Sequence, residues 1–440
     1  MNAREFLAPL AAMDGQDEGL QSLAGLHAAD ALACLLAGTQ TPEGAALAAF
    51  YDESGLQPPL AAAAAAAAII RLTEWDDIHV PSCVTAGAVA VPVALALAAD
   101  EASFAAAMGA GYATGIALGE AVGGVSALPE TWPGLFAAPA IAAVTASTAL
   151  GLAPEMKAQA LVLALAGSSG RNGRPSGTPS ARWLAIGEAT LKGTRAALAA
   201  RSQFKGDLEL LSPQWLKAQS PVAAEWPLPR PDTMALAGLK PFVAARQGLN
   251  AIEAFRRLIA EGTDPRAIEE IRVSLPPEAV GVVGRPLNPG DRLSTIAHLG
   301  LQLGIAAFEP ERLTDVARTE PFGPDAHALS ERVTVIPDAS LSAQSRASWP
   351  ARIAVRLGSE WIERLCHAIP GDPGNDVEAR KLVAQKIAAV SAGDSETERA
   401  LTDLAAMEAG SIGRASEMLH RALARAKGSQ TRELRSAVGA

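Results

Sequence analysis

Within RLTEWDDIHVPS (71–82), three carboxylates and one imidazole, Glu74, Asp76, Asp77 and His79, fall inside six residues, directly after eight consecutive alanines at 61–68. Histidine has an ordinary pKa near neutrality, so with a neighbouring carboxylate it can move a proton beside a substrate carboxylate. Pro81 blocks helix continuation, so residues 74–84 are expected to form a loop at the mouth of a helical core, its polar groups facing a cavity. A second reading fits the same letters. In it, Asp76 or Asp77 caps a helix or solvates a turn, and His79 is a polar surface residue.

Other chemistries find less support. The six histidines, at 27, 79, 298, 327, 367 and 420, never show HxxxH or HxH spacing, and none pairs with cysteine at ligand distance, so no metal site is indicated. No GxSxG elbow anchors a hydrolase triad. GAGYATG (109–115) has GxGxxxG spacing but follows Ala-rich helical sequence instead of a strand, which points to close helix packing through glycine. The Gly/Ser-rich AGSSGRNGRPSGTPS (166–180) lacks a following GK[ST], so it is no nucleotide loop; a mobile loop rimming a site is the functional reading left to it. Cys34, Cys83 and Cys366 are an odd number without CxxC spacing, which fits a reducing cytoplasm. A net charge of −10 without a dense Lys/Arg cluster argues against nucleic acid.

The elements that must position the 71–82 stretch are helical. At 440 residues the chain exceeds one hydrophobic core, and alanine-rich sequence with 4% aromatics favours closely packed helices. Periodicity and punctuation predict helices at 20–37, 42–53, 58–73, 86–99, 102–122, 136–150, 155–168 and 187–203. After Lys240 the texture changes. IEEIRVSLP (268–276), RVTVIPD (332–338) and ARIAVRL (351–357) alternate as strands, between helical stretches at 246–261 and 294–308. Helical periodicity returns after PGDPGND (370–376). The N-terminus is interrupted by Asp14 and Asp17, unlike a signal peptide. The uncharged 131–154 stretch is long enough to span a membrane, but its prolines, glycine and hydroxyl residues favour a helix buried inside a soluble domain, so no membrane partner is expected.

Six ordered blocks carry a family resemblance. They are DALACLLAG (30–38), the Ala-rich helix running into EWDDIH with AGAVAVPVALALAA beyond, GYATGIALGEAVG (111–123), RWLAIGEATLKGTRAALAARSQFKGDLELL (182–211), KPFVAARQGLNAIEA (240–254) and AIPGDPGNDVEARKLVAQK. In this order they resemble the MmgE/PrpD family, which includes 2-methylcitrate dehydratase, cis-aconitate decarboxylase and iminodisuccinate epimerase. The resemblance implies a large helical domain built from both chain ends, an inserted α+β lid, a homodimer, and an interdomain active site without metal or organic cofactor. The implied chemistry removes or shifts a proton beside a carboxylate.

Carried residue by residue, the resemblance places Asp76, Asp77 and His79 on the family's DDTH block, with Glu74 at its leading Asp and Ile78 at its Thr. Thr85 and Pro133 stand where the family has cleft histidines, Arg182 where it has a lysine, and Ala185 where it has a histidine. Lys240 is retained, and Gln247 or Leu249 replaces the RHxH histidine. On this reading His79 is the general acid/base oriented by Asp76 or Asp77. Arg182 and Lys240 hold carboxylates, with Gln247, Thr85 and Glu74 also contacting substrate.

The fold expected is therefore mainly α: a helical domain from 1–239 and 373–440 with an α+β lid at 240–372. The function expected is a divergent lyase or isomerase of dehydratase, decarboxylase or epimerase type, acting on a small carboxylic acid without a cofactor, in a cytoplasmic homodimer. The alternative is a non-catalytic member that binds a ligand or serves as a dimeric structural protein. Its basis is the loss of proton-transfer groups at 85, 133 and 182.

Overall fold

A computed structural model describes the chain except residues 129, 171–179, 224, 289, 320, 343–347 and 439–440, so most of the Gly/Ser-rich 166–180 stretch lies outside the described residues. The protein is mainly α-helical, with one small sheet. It divides into two compact units, one made of Met1–Leu239 with Asp376–Ala440, the other of Lys240–Asn375.

In the first unit the Pro58–Leu72 helix shows how alanine builds the core. Proline opens it at the first turn, where a missing N–H costs nothing, and every residue from Ala61 to Leu72 is buried. A helix buried all round needs small side chains so that neighbours can approach from several sides. The Glu101–Ala121 helix meets that demand with glycine. A Cβ on Gly111 would stand 2.1 Å from Thr145 Oγ1, and one on Gly115 would stand 2.5 Å from the Ile141 side chain, both on the Pro133–Ala149 helix. GAGYATG is thus a packing seam. The uncharged 131–154 stretch supplies that Pro133–Ala149 helix, which lies largely buried inside this unit. Glu18–Gly38 is long and apolar enough to cross a membrane by length and composition, and most of its residues are buried.

Most helices begin and end within a few residues of the sequence expectation. The larger differences are at Pro133–Ala149 and Ser180–Arg201, which start three and seven residues before 136 and 187. Pro133 takes the first helical position, where its fixed φ suits the helix.

The second unit is a four-stranded sheet with helices on it. Strands β1 (Glu270–Leu275), β2 (Val333–Pro337), β3 (Ala351–Leu357) and β4 (Glu360–Cys366) are ordered β2-β1-β3-β4. β1 and β2 are parallel with Ile271 opposite Val333, whereas β1–β3 and β3–β4 are antiparallel with Val273 opposite Ile353 and Val355 opposite Ile362. One face of the sheet is buried. Ile271, Val273, Leu275, Ile353 and Val355 pack in one core with Leu249, Ile252 and Phe255 of the Arg246–Ala260 helix. β4 was not read from sequence because its residues Glu360, Glu363 and Arg364 are exposed and hide its alternation. The helical stretch 294–308 is two helices, Arg292–Ala297 and Leu299–Phe308, because His298 leaves helical geometry and its side chain caps the second.

Candidate active site

The buried loop after Pro58–Leu72 is built from its first residue. Thr73 Oγ1 donates to the Ile70 carbonyl at 2.7 Å and accepts from Trp75 N–H at 3.1 Å, ending the helix with its own side chain. Glu74 then takes a left-handed φ of 50°, which turns its carboxylate back toward the helix end. There Arg71 donates to Glu74 Oε1 at 2.9 Å and to Asp76 Oδ1 at 2.6 Å. Burial alone would lower the Arg71 pKa, but the two carboxylates outweigh it and push it up. Arg182 reaches the same Glu74 oxygen at 3.3 Å, with its guanidinium 5.1 Å from the centre of the Trp132 ring. Two guanidiniums and two carboxylates thus share one buried cluster.

Asp77 points elsewhere. Its Oδ1 accepts from Gly87 N–H at 3.1 Å, at the start of the Gly87–Leu97 helix, and its Oδ2 accepts from Tyr112 at 2.5 Å and lies 3.0 Å from His27 Nδ1. Burial by itself would raise its pKa, yet His27, Tyr112 and the Gly87 N–H together hold the carboxyl below the ordinary range. Gly87 is required for this approach, since a Cβ there would stand 2.6 Å from Tyr112 Oη and 2.9 Å from Asp77 Oδ1.

His79 begins a tight hairpin, with backbone bonds in both directions to Val84. Its Nδ1 is 2.8 Å from Ser82 Oγ, and Ser82 Oγ also reaches the His79 carbonyl at 3.4 Å. Burial first, and then the positive charge of Arg230, push its pKa down to about 4. The imidazole is therefore neutral at pH 7, and the neutrality-matched value expected from sequence gives way to a depressed one.

Residues 74–84 do form a loop, and except for Pro81 and Cys83 every one of them is buried. The structure brings Glu74, Asp76 and Arg182 together, but orientation of His79 passes from the aspartates to Ser82, because Asp77 is engaged by His27, Tyr112 and Gly87. The turn-solvating reading of Asp77 and the surface reading of His79 do not survive their burial at 2% and 3% exposure, whereas Asp77 does cap a helix, accepting from the first N–H of Gly87–Leu97. Thr85 is half-buried just past the hairpin. Lys240 and Gln247, which belong to the second unit, are buried, Gln247 at the start of the Arg246–Ala260 helix, where Arg246 donates to Asn250 and Asp372.

Several partners were missed by sequence reasoning. His27, Tyr112 and Trp132 lie 35 to 50 positions from their partners Asp77 and Arg182, a pairing no sequence shows until folded, while Arg71 and Ser82 are near neighbours whose side-chain direction the sequence does not show. Lys386 was also missed: it donates to Asp30 at 2.5 Å and to the Trp75 carbonyl at 2.7 Å, and sits 4.6 Å from the Trp75 ring. The signal available was position, since Asp30, Tyr112 and Lys386 all fall inside the blocks of family resemblance. Among the described residues, no group of three or more His, Cys, Asp or Glu could hold a metal ion.

The profile of the MmgE/PrpD N-terminal domain matches residues 11–224, the segment that supplies the Glu74–Arg182 cluster, the Asp77 anchor and the His79 hairpin. The chain belongs to the MmgE/PrpD family. No curated protein matches its sequence. Within this MmgE/PrpD domain the Trp132–Pro133 dipeptide is structural: Trp132 precedes the first turn of its helix and offers its ring to Arg182.

Proposed function

We propose that this MmgE/PrpD protein is a divergent lyase or isomerase that moves a proton next to a carboxylate of a small organic acid, without a cofactor. The observation that carries the reading is the His79 hairpin. A base must be unprotonated at working pH, fixed in direction, and close to groups that stabilise the anion it creates. His79 is neutral and its ring is fixed through Nδ1. Two tautomers share this frame: with Ser82 N–H donating to Nδ1 at 3.3 Å, Nε2 carries the ring proton and can give it, whereas with Nδ1–H donating to Ser82 Oγ at 2.8 Å, Nε2 keeps its lone pair for a substrate proton, and the proposed base is this second form.

A base with a pKa near 4 is fully available but weak. A substrate carboxylate corrects this, because negative charge beside the imidazole favours its protonated form and offsets Arg230. Basicity then rises only when substrate is present. Arg182 is suited to hold a carboxylate bidentately, and its contact with Glu74 is looser than that of Arg71, 3.3 Å against 2.9 Å, so an incoming carboxylate can compete for it. Glu74 and Asp76 keep the cluster neutral before substrate arrives. The reading also takes the protein as a cytoplasmic homodimer, supported by the apolar N-terminal half and by family membership.

Incubation with a panel of di- and tricarboxylates in deuterium oxide, followed by NMR, tests the reading without requiring net turnover. Exchange at a carbon next to a carboxylate is expected for at least one of them. No exchange with any member of the panel would remove proton transfer beside a carboxylate as the function.

A further inference from the structure

A cavity of about 420 Å³ lies in the first unit and shares no lining residue with the Glu74–Arg182 cluster or the His79 hairpin. That volume falls within the range of small-molecule sites, roughly 300–1,000 Å³. Its near wall is the N-terminal segment. The Ala3–Leu7 helix is capped reciprocally by Asn2 and Glu5 and tied down by the Ala3 N–H to Leu208 and by Phe6 edge-on to Trp226 at 6.1 Å. Leu7, Leu10 and Met13 from this segment face Ala110 and Val144 across an apolar interior.

The polar groups at this cavity are unequal. Arg4 is answered by Glu155, at 2.5 Å and 2.9 Å. Lys157, on the Pro154–Leu165 helix, is half-buried, and among the described residues no carboxylate lies within ion-pair reach of its ammonium. A partly desolvated cation without a counter-charge, next to an apolar chamber, is complementary to one class of molecule.

We propose that this cavity binds an amphipathic carboxylate with a medium-length aliphatic chain, its headgroup on Lys157 and its chain between the N-terminal segment and Val144. The apolar walls disfavour a di- or tricarboxylate, because the cavity's other cation, Arg4, is already taken by Glu155, so the site is separate from that of the proposed reaction. Burial lowers the Lys157 pKa, and a bound carboxylate would raise it again.

Calorimetry with the full chain tests this, using decanoate, decanol and succinate as probes. Decanoate is expected to bind, decanol more weakly, and succinate not at all at this site. Lys157→Met should weaken decanoate about tenfold or more while leaving decanol unchanged, and Ala8→Trp, placed on the exposed rim, should block both. Circular dichroism confirms that each variant is folded. No decanoate binding by the natural protein, or equal affinity in Lys157→Met, overturns the proposal. So does a dimer that Ala8→Trp converts to monomer, since the cavity would then be covered by a second copy of the chain.

Discussion

The two halves of the buried loop make opposite uses of polar side chains. From Arg71 to Asp77, carboxylates are answered by cations and donors: Glu74 and Asp76 by Arg71, Asp77 by Tyr112, His27 and the Gly87 N–H. From His79 to Val84 the imidazole is held by a hydroxyl and a hairpin, with its charge suppressed by burial. The first half is a frame whose charges are cancelled internally; the second presents a neutral ring that can still change state. Rigidity and reactivity are thus separated by two residues. Substitutions in and around the frame should cost stability, and substitutions in the hairpin should cost proton transfer.

The largest stability effect is expected at Lys386, which bridges Asp30 and the Trp75 carbonyl beneath the frame. Lys386→Met leaves Asp30 buried without its cation, a loss of about 3–5 kcal/mol measurable by urea unfolding. A cost below 1 kcal/mol would mean that the frame does not depend on this pair.

Next comes a pH effect from the hairpin. His79 titrates near 4 when folded and near its ordinary 6.5 when unfolded, so between these values the unfolded chain binds more protons. Stability is therefore complete above about pH 6.5 and falls by roughly 3 kcal/mol as pH drops toward 4. His79→Asn should flatten that window, as followed by denaturant midpoints at several pH values. An unchanged slope would place His79 in a solvated environment.

Asp77→Asn should cost about 2–3 kcal/mol, the scale of hydrogen bonds to a charged acceptor. Its pH signature lies lower than that of His79. The folded Asp77 pKa is below the ordinary carboxylate value, so its contribution is present above that value and lost as pH falls through the folded one. Acid unfolding of the asparagine variant should lack this component.

The smallest expected change in stability is at Ser82→Ala, about 1 kcal/mol for one hydrogen bond, while exchange activity should fall more than stability because the ring loses its orientation. A variant that loses stability but keeps full exchange would place Ser82 in the frame.

Much of this architecture was legible in the sequence. Alanine runs, prolines at first turns and glycine seams gave the helices, because each acts through local geometry or neighbouring turns. Strand β4 escaped because exposed charges break its alternation. At the site, the 71–82 stretch announced itself by density of ionisable groups, and Glu74, Asp76 and Arg182 do converge. The pairing of Asp77 with His27 and Tyr112 was not legible, since contacts spanning 50 and 35 positions depend on how three helices pack. Nor was the depressed pKa of His79, which follows from burial that the letters EWDDIH, polar on their face, do not suggest.

The central claim is that His79 carries the proton. Hydrogen–deuterium exchange at carbon, on whichever di- or tricarboxylate the natural protein labels, should be measured side by side with His79→Asn under conditions where both are folded. The account predicts a fall of about a hundredfold or more, the usual worth of a positioned general base. Exchange by His79→Asn at the rate of the natural protein would contradict it.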